Sequence, residues 1–156
     1  MRFAALTPAQ DRALHELRQG RALQLMLKGG QALRCEPIDT SAAISLRPDG
    51  YLLVSGARAQ ALGYDHQPLA LPIEAAAGED QLSFLVTSKT HVTLPPLETP
   101  AFAADLIDFA KQGRLIPAFY LSAFDAAEDQ GLLSLEIGEL ELEMSCLLYT
   151  SDAADD

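Results

Sequence analysis

At residues 7–36 the chain runs TPAQDRALHELRQGRALQLMLKGGQALRCE, a pattern that predicts a capped helix followed by a β-hairpin. Thr7 suits the helix N-cap, Pro8 suits the first helical position, and Gln10 can complete a capping box with Thr7. Gly20 is placed to end the helix. The apolar positions between these ends lie on one stripe, formed by Ala9, Ala13, Leu14 and Leu17. We therefore expect this helix to pack one face against the rest of the fold.

The hairpin is predicted from the alternation of its side chains. Within residues 23–28 a leucine recurs at every second position, at Leu23, Leu25 and Leu27, which is the period of a half-buried strand. Gly29 and Gly30 can adopt the positive φ angles of a two-residue hairpin turn, and residues 31–36 return as the partner strand. Pro37 ends regular pairing because it has no N–H to donate.

Further strands are predicted in the middle of the chain. A Pro-Asp-Gly turn joins residues 44–46 to the apolar strand 51–55 in a second hairpin. Residues 56–74 are irregular, and the prolines near their end favour a loop or an edge segment. Residues 81–87 and 91–94 are predicted as two paired strands.

The last predicted elements are a helix and a terminal hairpin. Thr99 is expected to cap the helix, Pro100 to open it and Gly113 to close it. Its apolar face is wide and consists of Phe102, Ala103, Leu106, Ile107, Phe109 and Ala110. Residues 133–137 and 140–144 alternate as two strands of a hairpin. The outer face of this hairpin is acidic and carries Glu136, Glu139, Glu141 and Glu143.

Length, composition and element order together define the expected fold class. The chain has 156 residues, 49% of them hydrophobic, which suffices for the core of one globular domain. The predicted strands come in adjacent hairpins and not as βαβ units. We therefore predict an α+β fold, with a mainly antiparallel sheet built from hairpins and two helices packed on one face of it.

The last eleven residues, 146–156, are interpreted as foreign to the domain. Their sequence, CLLYTSDAADD, resembles the translation of a transposon-end adapter used in sequencing libraries. Segments of this kind are excluded from reasoning about the fold. We therefore treat residues 1–145 as a single α+β domain, which we expect to be cut short at its C-terminus.

The chain is acidic, with a formal net charge of −11, but the charge is unevenly distributed. Residues 1–34 hold six basic and two acidic residues, whereas residues 35–145 hold five basic and seventeen acidic residues. Because nucleic-acid affinity comes mainly from cations that neutralise phosphates, no specific nucleic-acid binding is expected. The candidate partner-binding residues are Arg12, Arg18 and Arg21, which can pair with the acidic part of their own fold or with an acidic protein.

A cytoplasmic location is the expectation from targeting signals and cysteine usage. The N-terminus, MRFAALTP, has no apolar segment of signal-peptide length, and no apolar run approaches the roughly 20 residues of a membrane span. Outside the adapter-like segment Cys35 is the single cysteine, so no internal disulfide is expected. Arg outnumbers Lys eight to three, a bias associated with GC-rich bacterial genomes.

The catalytic candidates are Asp65 and His66. They lie in the irregular segment, and an Asp beside a His can support general acid–base chemistry, although a solvated polar loop explains the same residues. Cys35 is interpreted as a small buried hydrophobe. No metal site is predicted, because paired Cys motifs, His-x-His and helical His pairs are missing. No cofactor is predicted, because the chain has no Gly-x-Gly-x-x-Gly run.

These missing motifs favour a non-catalytic interaction or accessory domain of a bacterial cytoplasmic protein, with a protein partner and no membrane contact. The alternative is an enzyme, or a fragment of one, that uses Asp65 and His66 within residues 56–74. A second alternative is an RNA-binding module, because residues 7–36 resemble the helix and bent hairpin of small Sm-like barrels. The chain after residue 40 departs from that plan, and the base-stacking aromatics of an RNA platform are missing.

Overall fold

A computed structural model describes residues 6–38, 44, 46–73, 78–138 and 140. Its elements in chain order are α1 (Pro8–Arg18), β1 (Leu23–Met26), β2 (Ala32–Pro37), β3 (Tyr51–Val54), α2 (Gly56–Ala61), β4 (Leu69–Pro72), α3 (Gly78–Thr87), α4 (Ala103–Gln112), β5 (Ala118–Ala123) and β6 (Leu133–Glu136). None of these four helices has the length and apolar character needed to cross a bilayer.

The six strands form one sheet in the order β4-β3-β5-β2-β1-β6. Four neighbouring pairs are antiparallel, whereas β1 and β6 are parallel, with Leu23 opposite Leu133. The predicted α+β class is confirmed, but the sheet is mixed and not purely antiparallel. Because β4 and β6 are the two ends of this order, the described strands do not close into a small barrel of the kind that the RNA-binding alternative assumed.

One face of the sheet is covered by α1 and α4. Leu14 and Leu17 of α1 and Leu106 and Phe109 of α4 are buried in a common core with the sheet. Full burial of each such side chain stabilises the fold by roughly 1.5–3 kcal/mol. The strands contribute Leu23, Leu25, Cys35, Leu53, Phe119, Leu121 and Leu135 to this first core. The apolar stripes predicted for both helices are therefore confirmed.

The other face of the sheet is covered by α2 and α3 over strands β3, β4 and β5. Ala59 and Leu62 from α2 and its C-cap, and Leu82 and Leu85 from α3, form a second core with Leu52 of β3. Helices thus lie on both faces of the sheet. The two predicted helices, α1 and α4, do share one face, but the prediction missed this second layer.

Helix α3 occupies residues that were predicted as a strand. Leu82 and Leu85 are three residues apart and both reach the second core, as helical spacing requires. The apolar run at 84–86 is too short for periodicity alone to separate a helix from a strand. The predicted partner strand, residues 91–94, is not a strand either; the N–H of Val92 instead donates to the carbonyl of Leu62 at 2.9 Å.

The middle of the sheet also differs from the prediction. Strand β5 was not predicted, although it lies between β3 and β2. Pro117 comes just before this strand, where its missing N–H removes no ladder hydrogen bond. Residues 44 and 46 form no strand, and β3 pairs with β4 and β5 instead. Residues 69–72 form the edge strand that the prolines favoured.

The predicted terminal hairpin is wrong where it can be compared. Strand β6 pairs in parallel with β1, and residues 137–138 and 140 are helical. Glu136 is exposed, as expected for the acidic outer face. The other three acidic positions of that face lie outside the described residues, as does the adapter-like segment 146–156.

The first helix and hairpin follow the prediction closely. The N–H of Gln10 donates to Thr7 Oγ1 at 3.1 Å, and the N–H of Thr7 donates to Gln10 Oε1 at 3.0 Å, which completes the capping box. Gly29 and Gly30 have φ angles of +93° and +89°. The loop is longer than the predicted two residues, because the strand pairing ends at Met26 opposite Ala32.

Helix α4 begins later than predicted. It starts at Ala103 without a side-chain cap, and the hydroxyl of Thr99 contacts the carbonyl oxygen of Pro68 at 3.4 Å instead. Gly113 ends the helix as predicted. A Cβ added at Gly113 would lie 2.3 Å from Leu14 Cδ2, so this glycine allows α1 and α4 to approach closely.

Candidate functional site

The face of the sheet that carries the second core becomes polar towards β2. Arg34 and Glu36 of β2 and Ser122 of β5 lie on the face opposite to the first core. The register places Arg34 opposite Ser122 and Glu36 opposite Tyr120. These four side chains therefore form one patch that spans two central strands.

Arg34 is the first member of a buried ion network. It pairs with Glu36, and the two side chains are only 13% and 5% exposed. Arg34 Nε also lies 3.2 Å from Asp129 Oδ1, and the Asp129 side chain is 3% exposed. This second contact is an ion pair and not an aligned hydrogen bond, since Arg34 Nε has no hydrogen-bond partner. Charges this deeply buried need such partners, because removing one from a buried pair costs about 3–5 kcal/mol.

Arg47 joins the same network from the turn before β3. Its Nη1 and Nη2 donate to both carboxylate oxygens of Asp129, at 2.8 and 2.6 Å, in the bidentate geometry that fixes a guanidinium plane. Nη1 also donates to the carbonyl of Ala123 at 3.1 Å, and the N–H of Asp125 donates to Asp129 at 2.8 Å. Nη2 lies 3.4 Å from Glu128, whose side chain is 67% exposed. Arg34, Glu36, Arg47 and Asp129 are called the buried ion network below.

The turn that carries Arg47 is held by the hydroxyl of Tyr120. This hydroxyl accepts a hydrogen bond from the N–H of Arg47 at 2.8 Å and donates to the Arg47 carbonyl at 3.1 Å. Gly50 leaves room for the ring, because a Cβ there would lie 1.7 Å from Tyr120 Oη. Asp49 Oδ2 accepts a hydrogen bond from the N–H of Ala123 at 2.7 Å. The turn is therefore fixed to β5 on both sides of Pro48.

These contacts set the charge state of the site. The hydrogen bonds from Arg47 lower the pKa of the Asp129 carboxyl, and the same bonds raise the pKa of Arg47. Burial raises the pKa of the Tyr120 hydroxyl. At neutral pH Asp129 is therefore an anion, Arg47 a cation and Tyr120 neutral.

A cavity of about 620 Å³ lies against this network. One cation, Arg47, and three carboxylates, Asp49, Asp125 and Glu128, line it. The other lining residues are Leu46, Pro48, Ala123, Phe124 and Ala126. Its volume falls within the roughly 300–1,000 Å³ typical of small-molecule sites. We call it the acidic cavity.

The acidic cavity combines proton acceptors with a fixed cation. Carboxylates at a cavity wall can act as general bases, and a guanidinium held in place can stabilise negative charge on a ligand oxygen. Of the two carboxylates that Arg47 contacts, Glu128 is the farther and by far the more exposed, so a ligand oxygen can replace it. Within the described residues, no group of three or more His, Cys, Asp or Glu side chains is arranged to hold a metal ion.

The sequence-predicted catalytic pair, Asp65 and His66, lies elsewhere, between α2 and β4. Both residues are exposed, and neither lines the acidic cavity. His66 packs beside Gly56, where an added Cβ would lie 2.9 Å from His66 Nδ1. The structure thus does not bring the two residues together with the buried ion network, and their catalytic role stays a prediction.

The candidate partner-binding cations have different surroundings. Arg12 is exposed. Arg18 Nη2 donates to the carbonyl of Gly113 at 3.1 Å, and Arg21 Nη2 lies 2.8 Å from Glu16 Oε2. Two of the three cations therefore contact their own fold, and a role towards a partner stays a prediction for all three.

Cys35 behaves as a core residue. It is fully buried in the first core, and burial raises the pKa of its thiol. A thiol held neutral in an apolar core is a poor nucleophile, so its surroundings match the interpretation as a small hydrophobe.

Sequence reasoning missed the buried ion network because its members come from separate segments of the chain. Alternation in the predicted strand 31–36 puts Arg34 and Glu36 on the face opposite to Leu33 and Cys35, but it names no partner for them. Strand β5 was not predicted, so nothing brought Tyr120 and Ser122 beside them. The available signal was the placement of polar side chains at alternate positions of β5, between apolar neighbours.

Comparison with known proteins gives a structural match only. No family model matches the chain, and no curated protein matches it. Among solved structures the chain is similar to the 3,4-dihydroxy-2-butanone 4-phosphate synthase of Candida albicans. The TM-score is 0.60 and the identity 13%, and the match covers 90% of this chain and 99% of that chain. At this identity the likeness shows the fold alone.

The structural match corrects the main functional prediction. The matched protein is an enzyme, and the match covers 99% of its chain. The prediction of a non-catalytic interaction or accessory domain is therefore contradicted. That prediction depended on the lack of linear catalytic motifs, whereas the acidic cavity is assembled from two loops that are distant in sequence.

Proposed function

We propose that this chain is an enzyme domain that acts on a small hydroxylated carbonyl compound in the acidic cavity. The observation that carries the proposal is the guanidinium of Arg47, which the buried Asp129 holds in a bidentate pair at a wall that also presents three carboxylates. The fold supports it as well, since a structure of this fold is a synthase named for a dihydroxybutanone phosphate.

The proposed chemistry is proton abstraction beside a carbonyl group. Arg47 binds the carbonyl oxygen in place of Glu128, and Asp49 takes the proton from the neighbouring carbon. The electron pair of the broken C–H bond forms a carbon–carbon double bond, and the carbonyl oxygen receives the negative charge, which Arg47 stabilises. Asp49 is suited to this role because one of its oxygens is anchored by the N–H of Ala123 and the other can accept a proton.

The charge of the cavity argues against a phosphorylated ligand. Three carboxylates face one cation at its lining, and Asp129 already occupies two donor groups of that cation. A phosphate dianion would meet repulsion from like charges in this setting. We therefore propose that the ligand is an unphosphorylated hydroxy ketone or hydroxy aldehyde.

Hydrogen exchange on a defined compound tests the proposal. The protein is incubated in D₂O with 3,4-dihydroxy-2-butanone, and the proton on the hydroxyl-bearing carbon beside the carbonyl is followed by ¹H NMR. We expect exchange of this proton above the rate of a protein-free blank, and slower exchange of the 4-phosphate ester. Exchange at the blank rate with both compounds contradicts the proposal.

Two variants locate the exchange. Asp49→Asn keeps an oxygen that can accept from the N–H of Ala123 but removes the base, so it is expected to lose exchange. Asp108→Asn changes an exposed carboxylate of α4 and is the matched control, which should exchange as the wild type does. Exchange that survives Asp49→Asn but disappears in His66→Ala would move the active site to the segment that holds Asp65 and His66.

A further inference from the structure

A groove separate from the acidic cavity lies between α3 and residues 91–94. Its volume is about 380 Å³, within the range typical of small-molecule sites. Helix α3 contributes Gln81, Phe84 and Leu85 to the lining, and residues 91–94 form the other wall. The groove shares no lining residue with the acidic cavity. We call it the α3 groove.

Residues 91–94 are held in place by the C-terminal end of α2 and the residues that follow it. The N–H of Val92 donates to the carbonyl of Leu62 at 2.9 Å, and the carbonyl of Leu94 accepts from the hydroxyl of Tyr64 at 2.5 Å. The side chains of Val92 and Leu94 pack against the second core, whereas Thr93 between them is exposed. This alternation is that of an extended chain, in which successive residues point in opposite directions. This wall of the groove is therefore fixed before a ligand binds.

Thr93 has a backbone N–H and C=O that no described residue uses as a hydrogen-bond partner. Because Val92 and Leu94 direct their bonded groups towards Leu62 and Tyr64, the N–H and C=O of Thr93 point the other way. Thr93 is exposed and lines the groove, so both groups can bond to a ligand there. In an antiparallel pair, two facing residues exchange both N–H···O bonds. A matching ligand therefore carries an N–H and a C=O on either side of one saturated carbon, as an amino-acid unit within a peptide does.

Phe84 supplies an apolar contact on the opposite wall. It is 47% exposed, although it lines a concave surface. Leu85 beside it is buried in the second core, which holds this part of α3 in place. An aromatic ring of a ligand can pack on Phe84 in the edge-to-face or offset arrangement that rings prefer. The groove thus combines an apolar ring with a backbone donor and acceptor.

We infer that the α3 groove binds a short peptide-like compound with an aromatic side chain. The N–H of Thr93 donates to a carbonyl of the ligand, the carbonyl of Thr93 accepts from an N–H of the ligand, and the aromatic ring covers Phe84. Backbone hydrogen bonds supply affinity and the side-chain contact supplies selectivity, as in sites where a peptide adds to an extended edge. The ligand has to be short, because the volume lies near the lower end of the range for small-molecule sites.

Titration with N-acetyl-phenylalanine methylamide, observed through the ¹⁵N–¹H resonances of the backbone amides, tests this inference on the whole protein. We expect the Thr93 amide to shift and saturate, while that of Asp49, in the acidic cavity, stays in place. The ester analogue, in which an oxygen atom replaces the N–H of the phenylalanine unit, is expected to bind about fivefold more weakly, because the hydrogen bond to the Thr93 carbonyl is lost. An unmoved Thr93 amide, or equal affinity for the two compounds, overturns the inference.

Two variants locate the ring contact. Phe84→Ala is expected to weaken binding about fivefold, because the contact between the two rings is lost. Ile116→Ala is the matched control, since Ile116 is also 47% exposed but lies outside the groove, and it should bind the compound as the wild type does. Both side chains are half exposed, so both variants should keep the fold. Unchanged affinity in Phe84→Ala, or the same loss in both variants, would show that the compound binds elsewhere and would overturn the inference.

Discussion

Replacing Asp129 by Asn removes the central charge of the buried ion network and keeps the shape of the side chain. Asp129 accepts two hydrogen bonds from Arg47 and one from the N–H of Asp125, and it lies 3.2 Å from Arg34 Nε. Breaking a buried ion pair costs about 3–5 kcal/mol of the free energy of unfolding. We expect a loss near the lower end, about 3 kcal/mol, because the Arg47 side chain still reaches solvent with 14% of its surface.

The loss of stability caused by Asp129→Asn should be large at neutral pH and small in acid. Arg47 lowers the pKa of Asp129 in the folded state, so the carboxylate stabilises the fold above the pKa it has in the unfolded chain. This stabilisation disappears as the pH falls through the folded-state pKa, because the carboxyl is then protonated in both states. The difference in the free energy of unfolding between the wild type and Asp129→Asn should have its full size at neutral pH and become smaller below about pH 4.

Urea unfolding across this pH range measures both effects. We expect a lower midpoint for Asp129→Asn at pH 7 and converging midpoints in acid. Asp108→Asn, which changes an exposed carboxylate of α4, should unfold as the wild type does at pH 7. A wild-type midpoint for Asp129→Asn at pH 7, or a difference that is the same in acid as at pH 7, would refute the reasoning.

Three further substitutions test the packing and the turn. Phe109→Ala should lower the free energy of unfolding by about 3–5 kcal/mol, because this fully buried ring joins α4 to the first core; an unaltered urea midpoint would place the ring at a surface. Gly50→Ala should lower the melting temperature, since its Cβ would displace the Tyr120 hydroxyl, whereas Gly138→Ala meets nothing within 4 Å and should not. Ser122→Ala should leave the free energy of unfolding unchanged or raise it by about 1 kcal/mol, because the hydroxyl is buried without a hydrogen-bond partner; a clear loss in urea unfolding would show an unseen partner.

Local chemistry made the first thirty residues of the domain predictable. The capping box of Thr7 and Gln10 and the two positive-φ glycines specify α1 and the β1–β2 hairpin from neighbouring residues alone. The apolar stripe of α4 was equally clear, because its spacing repeats over several turns. The start of α4 could not be predicted, because Thr99 contacts Pro68 instead of capping the helix. That contact depends on the tertiary fold.

The rest of the fold depends on contacts between distant segments. The apolar run within residues 81–87 is too short for periodicity to distinguish a strand from a helix. The helix is favoured because it places both Leu82 and Leu85 in the second core. Strand β6 pairs with β1, more than 100 residues earlier in the chain, and the sequence holds no local sign of this pairing. Because residues 140–144 also alternate and follow directly, the sequence predicted a hairpin instead. The buried ion network was out of reach for the same reason: Arg47 and Asp129 become partners only when β5 lies beside β2 and β3.

Chemical-shift mapping with 3,4-dihydroxy-2-butanone tests the central claim, that the acidic cavity is the site where this chain binds its ligand. The backbone amides are observed in ¹⁵N spectra while the compound is added to the whole protein. We expect saturable shifts concentrated at the amides of residues 46–47, 49, 123–126 and 128, which line the cavity, and little change at Asp65 and His66. Shifts concentrated at Asp65 and His66, or no saturable shift along the chain, would contradict it.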